Sequence, residues 1–428
     1  MRKRYAVVLL STVYLLGAMQ RRDYLQYTGA TLGGTAIAGG AASEAAAIPL
    51  PLEDLPDGPT AVAWGDADDD GRAEVAVALR TDDGPRFWVL DDEDAEFEVL
   101  FSGGEEWGDS AFATALAFGD FDDDGADELA VGRRAGGNAR FFVYDDADED
   151  FDRLLAAGRD WGDDANTTAL AAGDFDDDGV DELAVGRSAR RNARFFVVDY
   201  EDEDVLLRGG RDWGRGIATS ALAAGDVDDD GVDELAVGRR AGGNARFFVH
   251  DDADEDFEVL FRGGREWGSD SYPTDLAFGD VDDDGYEELG VARRARSNAR
   301  FFVFEDADAD FERTLAAGRN WGRDAYATSI DFGDVDDDGY EELVVTRRAE
   351  SNARYFVHED EDADFEVLFT DGDDWDDDGY AIDAAFGDMD GDDFAELAVA
   401  RTGQGPRAIL REDEAADFEF RGFVLFPV

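Results

Sequence analysis

Cysteine is absent from the 428 residues, histidine occurs only at His250 and His358, and the only lysine is Lys3. The first absence excludes disulfides, thiolate metal sites and a cysteine nucleophile, and with them any lipid anchor on a cysteine. The second argues against histidine-based zinc sites and serine–histidine triads. The third leaves arginine as nearly the whole basic complement: 39 basic residues stand against 106 acidic ones, for a formal net charge of -67. Phosphate would be repelled on average, so nucleic acid is not an expected partner.

What is present is a core. Hydrophobic residues make up 44% and aromatics 12% of the chain, far more than an acidic disordered tail would hold. An apolar interior is therefore wrapped in carboxylates. Acid-rich, lysine-poor composition resembles the proteins of extremely halophilic archaea. At about 1 M salt the Debye length is only about 3 Å, so the carboxylates repel one another weakly. At low salt the same charges drive the fold apart.

Residues 1–47 differ from all that follows. "MRKRYAVVLLSTVYLLGA" has a basic start and 14 mostly apolar residues, short for a membrane span. Arg21–Arg22, Leu25 and a weakly apolar Gly/Ala run follow, which looks like a twin-arginine export signal, with Ala45 and Ala47 as small residues at a cleavage site. Met19 offers an alternative start that would make 1–18 an over-extension. A retained N-terminal anchor is the competing reading; with cleavage, the mature chain carries no membrane span. The expected location is secreted or at the cell surface. Residues 48–59 read as a linker.

From about residue 60 to 428 the chain is periodic. An acidic stretch recurs with first aspartates at Asp66, Asp120, Asp174, Asp226, Asp280, Asp334 and Asp388, at intervals of 54, 54, 52, 54, 54 and 54. Each unit reads as four short strands; in the second these are "TALAFGD", "DELAVGR", "RFFVYDD" and "FDRLLAAG". Their nearly continuous hydrophobicity means sheets buried on both faces. Seven such sheets, each covered by its neighbours, predict an all-β fold, a seven-bladed β-propeller of four-stranded blades. An open solenoid would need distinct capping repeats, and none is evident. Units two to six join strands two and three through "NAR" (Asn138, Asn192, Asn244, Asn298, Asn352), whereas units one and seven use Gly84–Arg86 and Gly405–Arg407. The shared variation fits neighbours meeting at a ring closure. The tail "FEFRGFVLFPV" and the segment "IPLPLEDLP" are candidate closing strands.

Within each unit the acids fall at loop positions 1, 3, 5 and 9. Position 3 is Asp68, Asp122, Asp176, Asp228, Asp282, Asp336 and Asp390; position 5 is Asp70, Asp124, Asp178, Asp230, Asp284, Asp338 and Asp392. Position 9 is Glu74, Glu128, Glu182, Glu234, Glu288, Glu342 and Glu396. A hard dication takes roughly six to eight oxygens, and alternate acids on a tight loop supply them, with a glycine permitting the turn. An EF-hand would place a glutamate at position 12, where this chain has valine (Val77, Val131). The loop therefore joins two strands, and up to seven Ca²⁺ are expected. Acid runs such as "DDADEDF" lack the glycine and the spacing and read as solvated surface.

"FGDFDDDGADELAVGRR" resembles the FG-GAP repeat, also called the VCBS-type repeat, of integrin α-subunit propellers and many secreted microbial proteins. The resemblance covers all seven units. It implies a propeller with Ca²⁺ in the hairpin between strands one and two, and ligand binding on the opposite face. Position 9 departs from the family's usual aspartate, and unit seven has Asp393 where the glycine is expected.

The two faces are expected to differ in sign. One holds the acidic hairpins; the other holds most of the arginines, the five asparagines and Trp107, Trp161, Trp213, Trp267, Trp321 and Trp375. That second ring would suit acidic or sugar ligands, while regularly spaced tryptophans also fit packing between blades. The leading expectation is a monomeric, calcium-stabilised binding or adhesion module for a surface protein or glycan. The alternatives are a multivalent lectin-like propeller and, against the absence of any acid–base pair standing outside the repeat, a polysaccharide-acting enzyme. The chain is not expected to be an enzyme.

Overall fold

The computed structural model describes residues 59–424 except 81–83, 92–96, 109–110, 135–139, 148, 162–164, 189–193, 201–204, 214–216, 241–245, 254, 269–270, 296–299, 308, 323–324, 337, 350–353, 362, 374, 376–378, 393, 403–407, 412–417 and 419. The export segment 1–47, the linker as far as residue 58, the five "NAR" asparagines and Gly405–Arg407 lie outside the described residues, as does Asp393.

Twenty-eight strands form seven four-stranded antiparallel sheets in chain order; the third and fourth touch through the single bridge Ser188–Ala218. Blade 2 shows the pattern: Phe112–Gly119 pairs with Glu128–Arg134, then Phe141–Tyr144, then Arg153–Ala157. The second and third strands, Val/Ala/Phe-rich, are buried up to the exposed Arg134, as expected for sheets covered on both faces. Each apolar cluster is shared by adjacent blades. One unites Val62, Val75 and Trp88 of blade 1 with Met389, Ala398 and Leu410 of blade 7, which closes the ring.

Among the described residues, closure uses no exchanged strand. The tail strand Phe420–Val424 pairs with Ala408–Arg411 as blade 7's own fourth strand, and blade 1 takes its four strands from 59–103. The seam is held laterally: Ala73 N–H donates to the Asp388 carbonyl at 2.7 Å, and Trp64 Nε1–H to the Ala385 carbonyl at 3.0 Å. Arg86, in the Gly-Pro-Arg variant, sits as its "NAR" counterparts do. Its Nε–H donates to Ala111 O at 2.9 Å, as Arg300 donates to Ala325 O at 2.8 Å and Arg354 to Gly379 O at 2.7 Å. These fully buried arginines latch the connections leaving blades 1, 5 and 6.

Candidate functional site

Each one–two hairpin is built around its first aspartate. In blade 2, Asp120 accepts the Asp124 and Gly125 N–H groups at 3.3 and 3.1 Å, and Asp124 accepts the Ala126 N–H at 3.1 Å. Asp123 and Gly125 take left-handed φ values of 57° and 97°, a shape that position 6 glycine adopts without strain. In blade 7 the glycine stands two residues earlier: Gly391, φ 74°, fills position 4 and donates to Asp388 at 2.7 Å. Position 2 plugs the loop into the core; Ala67, Phe121, Phe175, Val227, Val281, Val335 and Met389 are all fully buried.

The four acids form a gradient of burial. Position 5 is exposed in every blade, positions 1 and 3 are half-buried except the exposed Asp228, and position 9 is buried in all seven. Each position 9 glutamate accepts the position 2 N–H through Oε2, at 2.6 Å for Glu128 and 2.7 Å for Glu74. The same bond recurs at Glu182, Glu234, Glu288, Glu342 and Glu396. The other oxygen, Oε1, has no hydrogen-bond partner at Glu74, Glu128, Glu234, Glu288, Glu342 and Glu396. Burial, reinforced by the position 3 aspartate, pushes these carboxyls up to about 9 at Glu74, Glu128, Glu234, Glu288 and Glu396, and to about 8 at Glu182 and Glu342.

Ligand oxygens of Asp120, Asp122 and Glu128 lie within 4.8 Å of one another, as do those of Asp66, Asp68 and Asp70 and of Asp174, Asp176 and Asp178. An orphaned buried carboxylate oxygen facing two or three more is a donor set for a hard dication. The residues present fit Ca²⁺: positions 1, 3, 5 and 9 would hold it, and the ion would supply the countercharge that lets the buried glutamate ionise.

The acid runs after strand three are not simply solvated surface. Asp91 joins Asp68 and Glu74, and Asp146 joins Asp124 and Glu128, within the same 4.8 Å limit. Asp146, Asp252, Asp306 and Asp360 are buried, each accepting an N–H of its own hairpin turn at 2.9 to 3.1 Å. A signal for them was available. An aspartate falls 18 residues beyond the position 9 glutamate in units one, two, four, five and six.

These loops also join the blades. The position 8 N–H donates to the position 1 carbonyl of the preceding blade at all seven junctions, from Asp127 to Asp66 at 2.7 Å through Ala395 to Asp334 at 2.8 Å to the closing Ala73–Asp388 bond. The three–four hairpin of the next blade reaches the position 2 carbonyl as well, as in Ala147 to Ala67 at 2.8 Å.

On the opposite face the tryptophans pack between blades. Trp107 stacks on Phe142 of the following blade at 5.3 Å and 14°, and Trp267 on Phe302 at 5.5 Å and 16°. The buried arginine ending strand two covers both rings: the Arg293 guanidinium is 4.6 Å from Trp267 and 5.3 Å from Phe302. The expected arginine–tryptophan ring is therefore engaged in packing between blades, with Trp107 and Trp267 buried and Trp161, Trp213, Trp321 and Trp375 half-buried. The next residues along, Arg134, Arg240, Arg294 and Arg348, do reach solvent, as do Arg80, Arg208, Arg262 and Arg319. His250 and His358 are core residues, their Nδ1 atoms at 3.1 and 3.0 Å from the Phe257 and Phe365 carbonyls.

Fold and site together define a β-propeller with an oxygen cage in each blade. No family model matches the chain, and no curated protein matches it. It is similar to the solved Dos1 propeller, at 12% identity, TM-score 0.49, covering 80% of this chain and 75% of that one. It is also similar to rhamnogalacturonan lyase YesW, at 16% identity and TM-score 0.43, over 86% of this chain and 72% of that one. The V. cholerae biofilm matrix protein Bap1 matches at 15% identity and TM-score 0.39, over 62% and 40% of the two chains. The propeller assignment stands on the strand pairing and the ring contacts; at these identities the likenesses add nothing about ligand or chemistry. Among the described residues, no helix is long and apolar enough to cross a membrane.

Proposed function

We infer that the chain is an exported, calcium-stabilised propeller of the FG-GAP type, monomeric and secreted or held at the cell surface. In this reading it works as a binding module for a surface protein or glycan. The observation that carries the reading is the recurring cage. A buried glutamate fixed through one oxygen, with the other unpartnered in six blades, is held ready for a cation beside two further carboxylates. Because the same loops form the inter-blade hydrogen bonds, the ion's work is to hold the ring, which leaves the arginine face for recognition.

Equilibrium dialysis in molar NaCl tests the first half: several Ca²⁺ per chain, up to seven, support it, and none overturns it. The lectin-like alternative requires equivalent sugar pockets between blades, and the stacking of the tryptophans on the next blade's phenylalanines tells against it. A glycan titration saturating near the blade number would reverse that judgement. An enzyme on this scaffold has one observation in its favour, the half-buried Asp275, Asp331 and Asp383 on the inner strands of blades 5, 6 and 7, which break the repeat. We assign them no catalytic step; turnover of an acidic polysaccharide that is lost on replacing them would establish one.

A further inference from the structure

The inner wall of the ring departs from sevenfold repetition on one side. The residue opening each inner strand is Phe112, Asn166 and Ala218 in blades 2 to 4, then Tyr272, Tyr326 and Tyr380 in blades 5 to 7. Three residues on, blades 1 to 4 have alanine, and blades 5 to 7 have Asp275, Ser329 and Asp383. At the mouth of this polar side, exposed arginines and part-exposed tyrosines alternate. The Arg240 guanidinium lies 4.9 Å from the Tyr272 ring, Arg294 4.9 Å from Tyr326, and Arg348 4.5 Å from Tyr380. Arg294 Nη1 also donates to the Tyr272 hydroxyl at 3.0 Å, and Arg348 Nη1 to the Tyr326 hydroxyl at 3.4 Å. Arg294 and Arg348 are thus each held by an aromatic face and a hydroxyl, and Arg240 by an aromatic face, while all three remain exposed.

We propose that this arginine–tyrosine arc over blades 4 to 7 is a single binding site for an acidic saccharide, one bearing carboxylate or sulfate groups. The inference rests on the reading of the arginine face as the recognition face. Guanidinium forks meet carboxylate and sulfate oxygens in pairs. Tyrosine rings offer flat apolar faces to the C–H surface of a sugar and hydroxyl edges to its oxygens. Further in, Asp275, Ser329 and Asp383 offer oxygens to sugar hydroxyls, which a plain polyanion such as polyglutamate lacks, so the site would select polyhydroxylated rings over negative charge alone. On a surface otherwise dominated by carboxylates, this arc sets three exposed guanidinium groups among three tyrosines.

The test uses the full chain in molar NaCl with saturating Ca²⁺. Titrants are a uronic-acid oligomer and a sulfated galactan oligomer, with neutral dextran and polyglutamate as comparators. One acidic oligomer per chain is expected, with no binding of either comparator. The double variant Arg294→Gln/Arg348→Gln should weaken binding about tenfold or more, with an unchanged melting temperature. Arg134→Gln, on the other side of the mouth, should bind as wild type. Arg348→Lys keeps the charge and loses the fork, and should weaken binding as well. Equal binding of polyglutamate or dextran, several equivalents per chain, indifference to the double variant, or no acidic saccharide bound at all would each overturn the site. A partner captured instead through the arginines of blades 1 to 3 overturns this site while leaving the recognition reading intact.

Discussion

A buried carboxylate must be protonated, hydrogen-bonded or paired with a cation. At the residue scale the position 9 glutamates have one oxygen satisfied by a backbone N–H and the other waiting. Glu128→Gln keeps an acceptor for the Phe121 N–H and removes a ligand charge, so it should lower calcium affinity at that loop by roughly tenfold or more, read by calorimetry as the loss of one tight site. The channel acids give a prediction of opposite kind. Burial, its largest cause, pushes the Asp331 carboxyl up to about 7, while its oxygen accepts the Phe386 N–H at 2.9 Å. A raised carboxyl makes the folded state hold more protons than the unfolded one. Its contribution is therefore most favourable below the ordinary aspartate range, near pH 4, and is lost as pH rises toward 7. Asp331→Asn removes that loss. Its melting temperature should match wild type near pH 4 and exceed it at pH 8; an equal difference at both would contradict the assignment.

At the element scale, adjacent residues of one strand have opposite fates. Arg293, buried against Trp267 and Phe302, has its guanidinium pushed down to about 10 by burial, whereas Arg294 beside it is exposed. Arg293→Ala should cost about 2 kcal/mol and Arg294→Ala about 0.5 kcal/mol in denaturant unfolding; equal costs would contradict the packing account. The same contrast shows what could be read in advance. The strands, the period and the acids at positions 1, 3, 5 and 9 were legible because they lie within one unit at fixed spacing. Trp267 is ambiguous in sequence because its partner, Phe302, belongs to the next blade, and Asp146 reads as surface because its burial depends on the hairpin beside it. The tyrosine arc was overlooked for a related reason: three substitutions about 54 residues apart look like drift until a ring makes them neighbours.

At the scale of the whole molecule, the described residues close the ring without strand exchange, and cohesion rests on lateral packing and on the hydrogen bonds between successive hairpin loops. Seven Ca²⁺ would contribute +14 against -67, leaving -53. The ions cannot replace salt as a general screen; their effect is local, on loops that are also the staples between blades. Salt and calcium should therefore stabilise separately. The decisive measurement is the melting temperature in 2 M NaCl, at roughly constant screening, with saturating Ca²⁺ and then with excess chelator. The account predicts a clear fall on chelation, restored by adding Ca²⁺ back. An unchanged melting temperature would mean that the acidic loops hold their shape and the ring its seams without an ion.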